Sequence, residues 1–153
     1  MDEKYTKHEA LARQNFLDGY NCAQAIMKAF ADVTGLDPDF AVKMASPFGG
    51  GMGRMREVCG AVSGIFMVLG ILEGYSTPDD NAKKELYSKV QMLAQKYREE
   101  NGSIICRELL GLKTKGPEDP TPSKRTDEYY KSRPCEAKIG NAARLLDEYL
   151  GIN

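Results

Sequence analysis

Four cysteines, Cys22, Cys59, Cys106 and Cys135, are the residues of this sequence best suited to chemistry. A thiolate is a nucleophile, a soft metal ligand and half of a disulfide. The intervals of 37, 47 and 29 residues contain none of the C-x-x-C pairs of zinc ribbons, ferredoxins and thioredoxin-like sites. A shared site therefore requires separate elements to converge. Three chemistries fit such a set: ligation of an iron–sulfur cluster, a cofactor-free dithiol–disulfide cycle, or a structural zinc in a bundle without turnover. The spacing does not choose among them. One cysteine taken singly is most simply a buried small hydrophobe; the set argues for chemistry.

Their local settings differ. Ser103-x-x-Cys106 and Ser132-x-x-Cys135 each place a candidate N-cap serine three residues before a thiol. Both sulfurs are then expected in the first turn of a helix, where free N–H groups and the positive end of the dipole favour a thiolate. Arg107 and Arg133 add positive charge, and Pro134 suits a first turn. In a disulfide cycle Cys106 and Cys135 are the better nucleophiles. Cys59 is expected inside a helix opened by Arg54 and Arg56. Cys22 has the least polar setting, on a helix flank with Gly19, Ala25, Ile26 and Ala29.

The glycines form the second candidate feature. Gly49, Gly50, Gly51 and Gly53 make a loop without the Gly-Lys-Ser/Thr of a phosphate loop and without a preceding strand. They serve either close helix approach or a row of backbone donors facing a cofactor or anion. Gly60 and Gly64, four apart, make a groove for a second backbone. These six glycines are the candidate cofactor-binding positions. His8, in a charged turn, is expected at the surface. Met52, Met55 and Met67 read as core filler, and Glu57, Glu73, Glu99 and Glu100 as solvated charges.

The elements that must position these residues are helical throughout. Apolar spacing of three and four predicts a helix over 3–33 with Phe16, Tyr20, Ala23, Met27 and Phe30 inward. Asp37-Pro38 then starts a short helix, Asp39–Ala45, with Pro38 suited to the first turn, stopped by Pro47. From Val58 to Leu72 the only polar side chains are Cys59 and Ser63. That run falls short of the about 20 apolar residues of a membrane span and predicts a central helix buried on all sides, with Met55, Cys59, Val62, Phe66 and Leu69 on one face. An amphipathic helix is expected over 80–101, with Leu86, Val90, Leu93, Ala94 and Tyr97 inward. A short one is expected over 103–110 and a last one over 132–150, with a Pro-rich loop at 113–126 that can act as a lid. No alternating strand pattern appears. The prediction is an all-α, single-domain bundle of five to seven helices spanning 1–153.

Bulk properties narrow the function. A chain of 153 residues, 42% hydrophobic and 28% charged, can bury a real core. Its net charge of −1 gives no electrostatic footprint for nucleic acid or an anionic membrane. A single His and no Trp exclude chemistry built on several imidazoles. The amino terminus shows neither a signal-peptide pattern nor a twin arginine, which predicts a cytoplasmic protein without membrane insertion. Its cysteines are then reduced, metal-bound or catalytic.

Taken together, Tyr20-Asn21-Cys22-Ala23-Gln24-Ala25, the lead Phe48 to Gly53, Cys59-Gly60-Ala61-Val62-Ser63-Gly64, Cys106 and Cys135 resemble the C_GCAxxG_C_C family. The family label writes GCAxxG where this chain reads Cys-Gly-Ala. The resemblance implies redox activity and a prosthetic group such as an iron–sulfur cluster; a protein that transfers electrons in this way is expected to meet a redox partner protein. It carries the family's four cysteines over to Cys22, Cys59, Cys106 and Cys135. Some members bear a twin-arginine signal; its absence here agrees with the cytoplasm.

Overall fold

The computed structural model describes residues 4–153. Helix α1, Lys7–Leu17, starts at Thr6, whose side chain accepts from the Glu9 N–H. The continuous helix expected over 3–33 is broken, and residue 3 lies outside the described residues. The chain turns at Gly19 (φ +107°) and restarts as α2, Cys22–Ala29, then α3, Ala31–Thr34. The restart has a local cause. The Asn21 side chain accepts from the Gln24 N–H at 2.9 Å, and Gln24 Oε1 accepts from the Asn21 N–H at 3.1 Å. This reciprocal capping box outweighs the apolar periodicity that runs through it. Cys22 consequently opens a helix instead of lying on its flank.

Helix α4, Pro38–Ala45, is capped by Asp37 with Pro38 in its first turn, as expected. A 3-10 turn, Ser46–Phe48, and a kinked turn, Gly49–Met52, lead into a segment of left-handed backbone. The central helix α5 spans Gly60–Glu73. It begins six residues after Arg54, because Met52, Arg54 and Arg56 all adopt positive φ and cannot propagate a helix. Met55 therefore leaves the predicted helical face and is largely exposed. Helix α6 is Asp80–Asn101, started by Asp79, which accepts from two backbone N–H groups. Helix α7 is the short Cys106–Leu109, α8 is Asp127–Ser132, and α9 is Cys135–Leu150. Between Gly111 and Thr126 the chain is without helix.

The fold is an all-α bundle. Its core lies where α2 crosses α5 and where α1 and α9 pack together. Ile26, Met27, Phe30, Val62, Ile65, Ile139 and Leu146 are inaccessible to solvent there. Each such side chain contributes on the order of 1.5–3 kcal/mol by leaving water. Gly64 belongs to this packing: a Cβ on it would stand 2.8 Å from the Ile26 Cβ. The half of the α5–α6 hairpin away from the core is less covered. Leu86 and Val90, expected inward, are only half-buried, and Ile71 and Leu72 are exposed. Among the described residues no helix is long and apolar enough to cross a membrane.

His8 is not at the surface. Its ring is 1% exposed, stacked on Phe30 at 4.2 Å, and bonded through Nδ1 to Asp147 (2.6 Å) and through Nε2 to Asp32 (2.9 Å). It joins α1 to α3 and α9. Glu73 is also engaged: it accepts from Lys89 and from the Tyr149 hydroxyl, both at 2.5 Å.

Candidate cysteine site

Each of the four cysteines stands at a helix start. Cys22 is the first residue of α2, Cys106 of α7 and Cys135 of α9, and Cys59 is the residue that caps α5. The serines expected to cap Cys106 and Cys135 do other work. Ser103 accepts from the Ile105 N–H, and Ser132 ends α8 and donates to the Tyr129 carbonyl. Cap positions fall to Ile105 and Pro134. The first-turn placement of both thiols holds without the predicted hydroxyl caps.

All four thiols line one cavity of about 350 Å³. Two packing devices bring them there. An isolated antiparallel bridge pairs Val58 with Ile105. The Cys59 N–H donates to the Ile104 carbonyl at 2.8 Å, and the Cys106 N–H donates to the Glu57 carbonyl at 2.6 Å. Cys59 and Cys106 each follow a bridged residue and so lie diagonally on one face of this ladder, a separation of about 7–8 Å in regular geometry. The second device is glycine. A Cβ on Gly60 would stand 3.0 Å from the Cys22 Cβ and 2.9 Å from the Phe48 carbonyl, and one on Gly51 would stand 2.6 Å from the Cys106 Cβ. Gly49, Gly50 and Gly53 also line the cavity. Gly64 does not, since it faces Ile26.

The left-handed segment wraps one wall. The Arg56 N–H donates to Gly50 and the Glu57 N–H to Gly51, at 3.2 and 2.9 Å. Arg54 reaches the Asp119 carbonyl at 2.7 Å and Ser123 Oγ at 3.3 Å. Arg56 bonds Glu118 at 2.5 Å and points Nη1 at Cys106 Sγ, 3.5 Å away. Arg107 holds the carbonyls of Thr114 and Gly116. Arg125 donates to the Phe16 and Tyr20 carbonyls and lies over the Phe16 ring at 4.1 Å. The Pro-rich segment is thereby fastened across the cavity, to which Pro120, Pro122 and Ser123 contribute.

The thiols are electrostatically unequal. Cys22 and Cys135 are in hydrogen-bond contact: the Cys22 thiol donates to Cys135, which raises Cys22 well above the ordinary thiol range. The same bond, with help from Arg133, Arg125 and Arg56 and against burial, lowers Cys135 to about 7. Burial raises Cys59, against the N–H groups of Ala61 and Val62 and the Tyr97 hydroxyl 3.8 Å from its sulfur. Burial likewise raises Cys106, against the Arg56 guanidinium. Buried Tyr97 is itself pushed up by desolvation and held in its neutral, donating form. Cys135 is thus the most readily ionised of the four, and the other three are held above the ordinary thiol range.

Several participants were not evident from sequence. Tyr97 reads as core on the inner stripe of α6, and Arg125 carries no local signal. Lys138 was findable, because it lies three residues after Cys135 and shares its helix face.

All four cysteines are unpaired. Among the described residues no three His, Cys, Asp or Glu side chains stand together as a ready pocket for a metal ion. Comparison with known proteins gives one result. Residues 20–149 match the family model described as "Putative redox-active protein (C_GCAxxG_C_C)". No curated protein and no solved structure matches the chain. The chain belongs to the C_GCAxxG_C_C family.

Proposed function

We propose that this is an electron-transfer protein whose Cys22, Cys59, Cys106 and Cys135 ligate an iron–sulfur cluster, exchanging electrons with a redox partner protein. The observation that carries this reading is the convergence of four helix-start cysteines on one cation-lined cavity. A disulfide couple needs only two of them. The donor set fits: cysteine thiolates are the usual ligands of such clusters. A single zinc ion needs four sulfurs about 3.8 Å apart, set by its 2.3 Å bonds and tetrahedral angles, whereas a cluster of several irons spreads its ligands further.

When bound, the cluster supplies one-electron chemistry. The chain supplies the surroundings. Arg56 and the N–H groups of Ala61 and Val62 compensate sulfur charge that an apolar bundle does not tolerate alone. Tyr97 is placed to donate to Cys59, a contact of the kind that tunes a reduction potential. The Pro-rich segment adds Pro120, Pro122 and Ser123 to the wall around the sulfurs.

A second reading draws on the Cys22–Cys135 contact. The Cys135 thiolate attacks a substrate disulfide and expels one substrate thiolate. Cys22 then loses its proton and attacks the mixed disulfide, expelling the second. The products are a Cys22–Cys135 disulfide and two substrate thiols, so two electrons pass to the substrate.

Oxygen-free purification separates the two. The expected result is iron with acid-labile sulfide and a broad visible absorption, lost in Cys59→Ser. Metal-free protein whose thiol count falls by two on mild oxidation overturns the cluster and selects the disulfide cycle. Stoichiometric zinc without redox change overturns both.

A further inference from the structure

The charge lining the cavity is one-sided. Arg54, Arg56, Arg125, Arg133 and Lys138 face it, and among the described residues no Asp or Glu does. A chain with 22 acidic residues has ample means to neutralise such a wall. Among the described residues only Glu118 does so, and it is shared between Arg54 and Arg56 at 3.6 and 2.5 Å. Arg125 spends its donors on two neutral carbonyls. Arg133 stacks on Tyr129 at 5.6 Å without a side-chain hydrogen bond or ion pair among the described residues. Lys138 makes neither.

Arg133 helps lower Cys135 through its charge, but no direct bond to sulfur ties down these last two cations. The guanidinium that bonds a sulfur is Arg56, at Cys106. Arg133 and Lys138 make no bond to any thiol. They flank Cys135 from two sides, one before α9 and one a turn into it. Phe16, Leu109 and Ile139 give the same cavity an apolar lining. The volume of about 350 Å³ is at the lower end of the about 300–1,000 Å³ of small-molecule pockets.

We infer that the cavity binds a small organic anion, with a carboxylate or phosphate group on Arg133 and Lys138 and an apolar body against Phe16, Leu109 and Ile139. The site deepens the redox reading, since the ligand lies beside Cys135. It does not depend on whether a cluster or a disulfide performs the redox step. Guanidinium and ammonium donors bind both anion types, Arg in bidentate fashion and Lys as a point charge.

The test is calorimetric titration of the protein as purified, at about 0.15 M salt so that long-range attraction is screened. Benzoate and phenyl phosphate are the anionic probes and benzyl alcohol is the neutral one. The expected result is binding of at least one anion and none of the alcohol. The stronger anion identifies the headgroup. In Arg133→Gln/Lys138→Gln affinity falls about tenfold or more, as loss of charged hydrogen bonds implies. In Lys84→Gln/Lys96→Gln, which removes the same charge from the exposed face of α6, it changes less than about twofold.

The inference is overturned by equal binding of benzyl alcohol, by no binding of either anion, or by equal losses in the two double variants. Iron, sulfide and thiol content of each variant keeps the two readings apart. Wild-type cofactor content with lost anion affinity supports the site. Loss of cofactor together with anion affinity assigns both cations to the redox centre and overturns it. Metal-free wild-type protein that binds benzoate through Arg133 and Lys138 removes the cluster and leaves this site standing.

Discussion

The molecule treats two of its buried groups of ionisable side chains in opposite ways. At His8 every charge has a partner: both ring nitrogens meet a carboxylate, Asp147 also accepts from the His8 backbone N–H at 3.1 Å, and Lys7 reaches Asp32 at 2.9 Å. The helices there are regular and their junction is closed. At the cysteines, backbone is held left-handed, thiols are unpaired, and cations face a cavity without carboxylates. A buried group that is fully paired costs nothing further and serves as scaffold. A site that leaves charge and space open is a candidate for function.

The largest test of this contrast falls on the closed region. His8→Ala leaves Asp147, which is inaccessible to solvent, without its main partner and removes the ring stacked on Phe30. Breaking a buried pair in this way costs about 3–5 kcal/mol. Denaturant unfolding should show that loss, while the cofactor or thiol content of the folded fraction stays at the wild-type value. A change in both would make the two regions one unit.

Gly51→Ala attacks the open region. Its φ is +66°, and the new methyl would stand 2.8 Å from the Arg56 Cα as well as against Cys106. Left-handed backbone and overpacking together predict a loss of about 2–4 kcal/mol. Unlike His8→Ala, it should also lower metal content or redox activity.

A smaller effect comes from pH. Burial pushes the His8 imidazolium down, but its bonds to Asp147 and Asp32 outweigh that and raise it above the ordinary 6.5. Lys7 holds the other side of Asp32, which is lowered, against partial desolvation, by hydrogen bonds from Lys7 and His8. The charged ring thus adds stability in full below about pH 6.5, and that part fades as pH rises through the raised value. Unfolding free energy measured across that range should decline in wild type and flatten in His8→Gln. The smallest effect is expected from Tyr97→Phe, about 0.5–1.5 kcal/mol. Its sharper readout is Cys59, which loses its hydroxyl neighbour, so the reduction potential or the thiol reactivity should move while the fold does not.

Much of this architecture was legible in the chain. The long α6, the Pro38 start of α4, the inward stripe of α9 and the all-α class follow from periodicity and turn residues. The break before Cys22 was also written there, as Asn21 and Gln24, but a capping box inside an apolar stripe is hidden by the stripe. The start of the central helix was not legible, because nothing local announces that Arg54 and Arg56 will take positive φ. That conformation is fixed from a distance, by Glu118, Asp119 and Ser123. His8 was misplaced for the same reason: its partners are 24 and 139 positions away. The four cysteines line one cavity, and Cys106 and Cys135 stand at helix starts as expected, although by other caps. Their meeting depends on a bridge and two glycine contacts that only the fold reveals.

The bridge between Val58 and Ile105 has one more consequence, for how this molecule can vary. It ties the base of the α5–α6 hairpin just beside Cys59 and Cys106. The hairpin's far end, residues 74–79, is exposed throughout. Insertions or deletions at that tip lengthen or shorten an arm whose root is already fixed, and neither sulfur has to move. The arm is where new length, and with it new surface, can be added without reopening the design of the site.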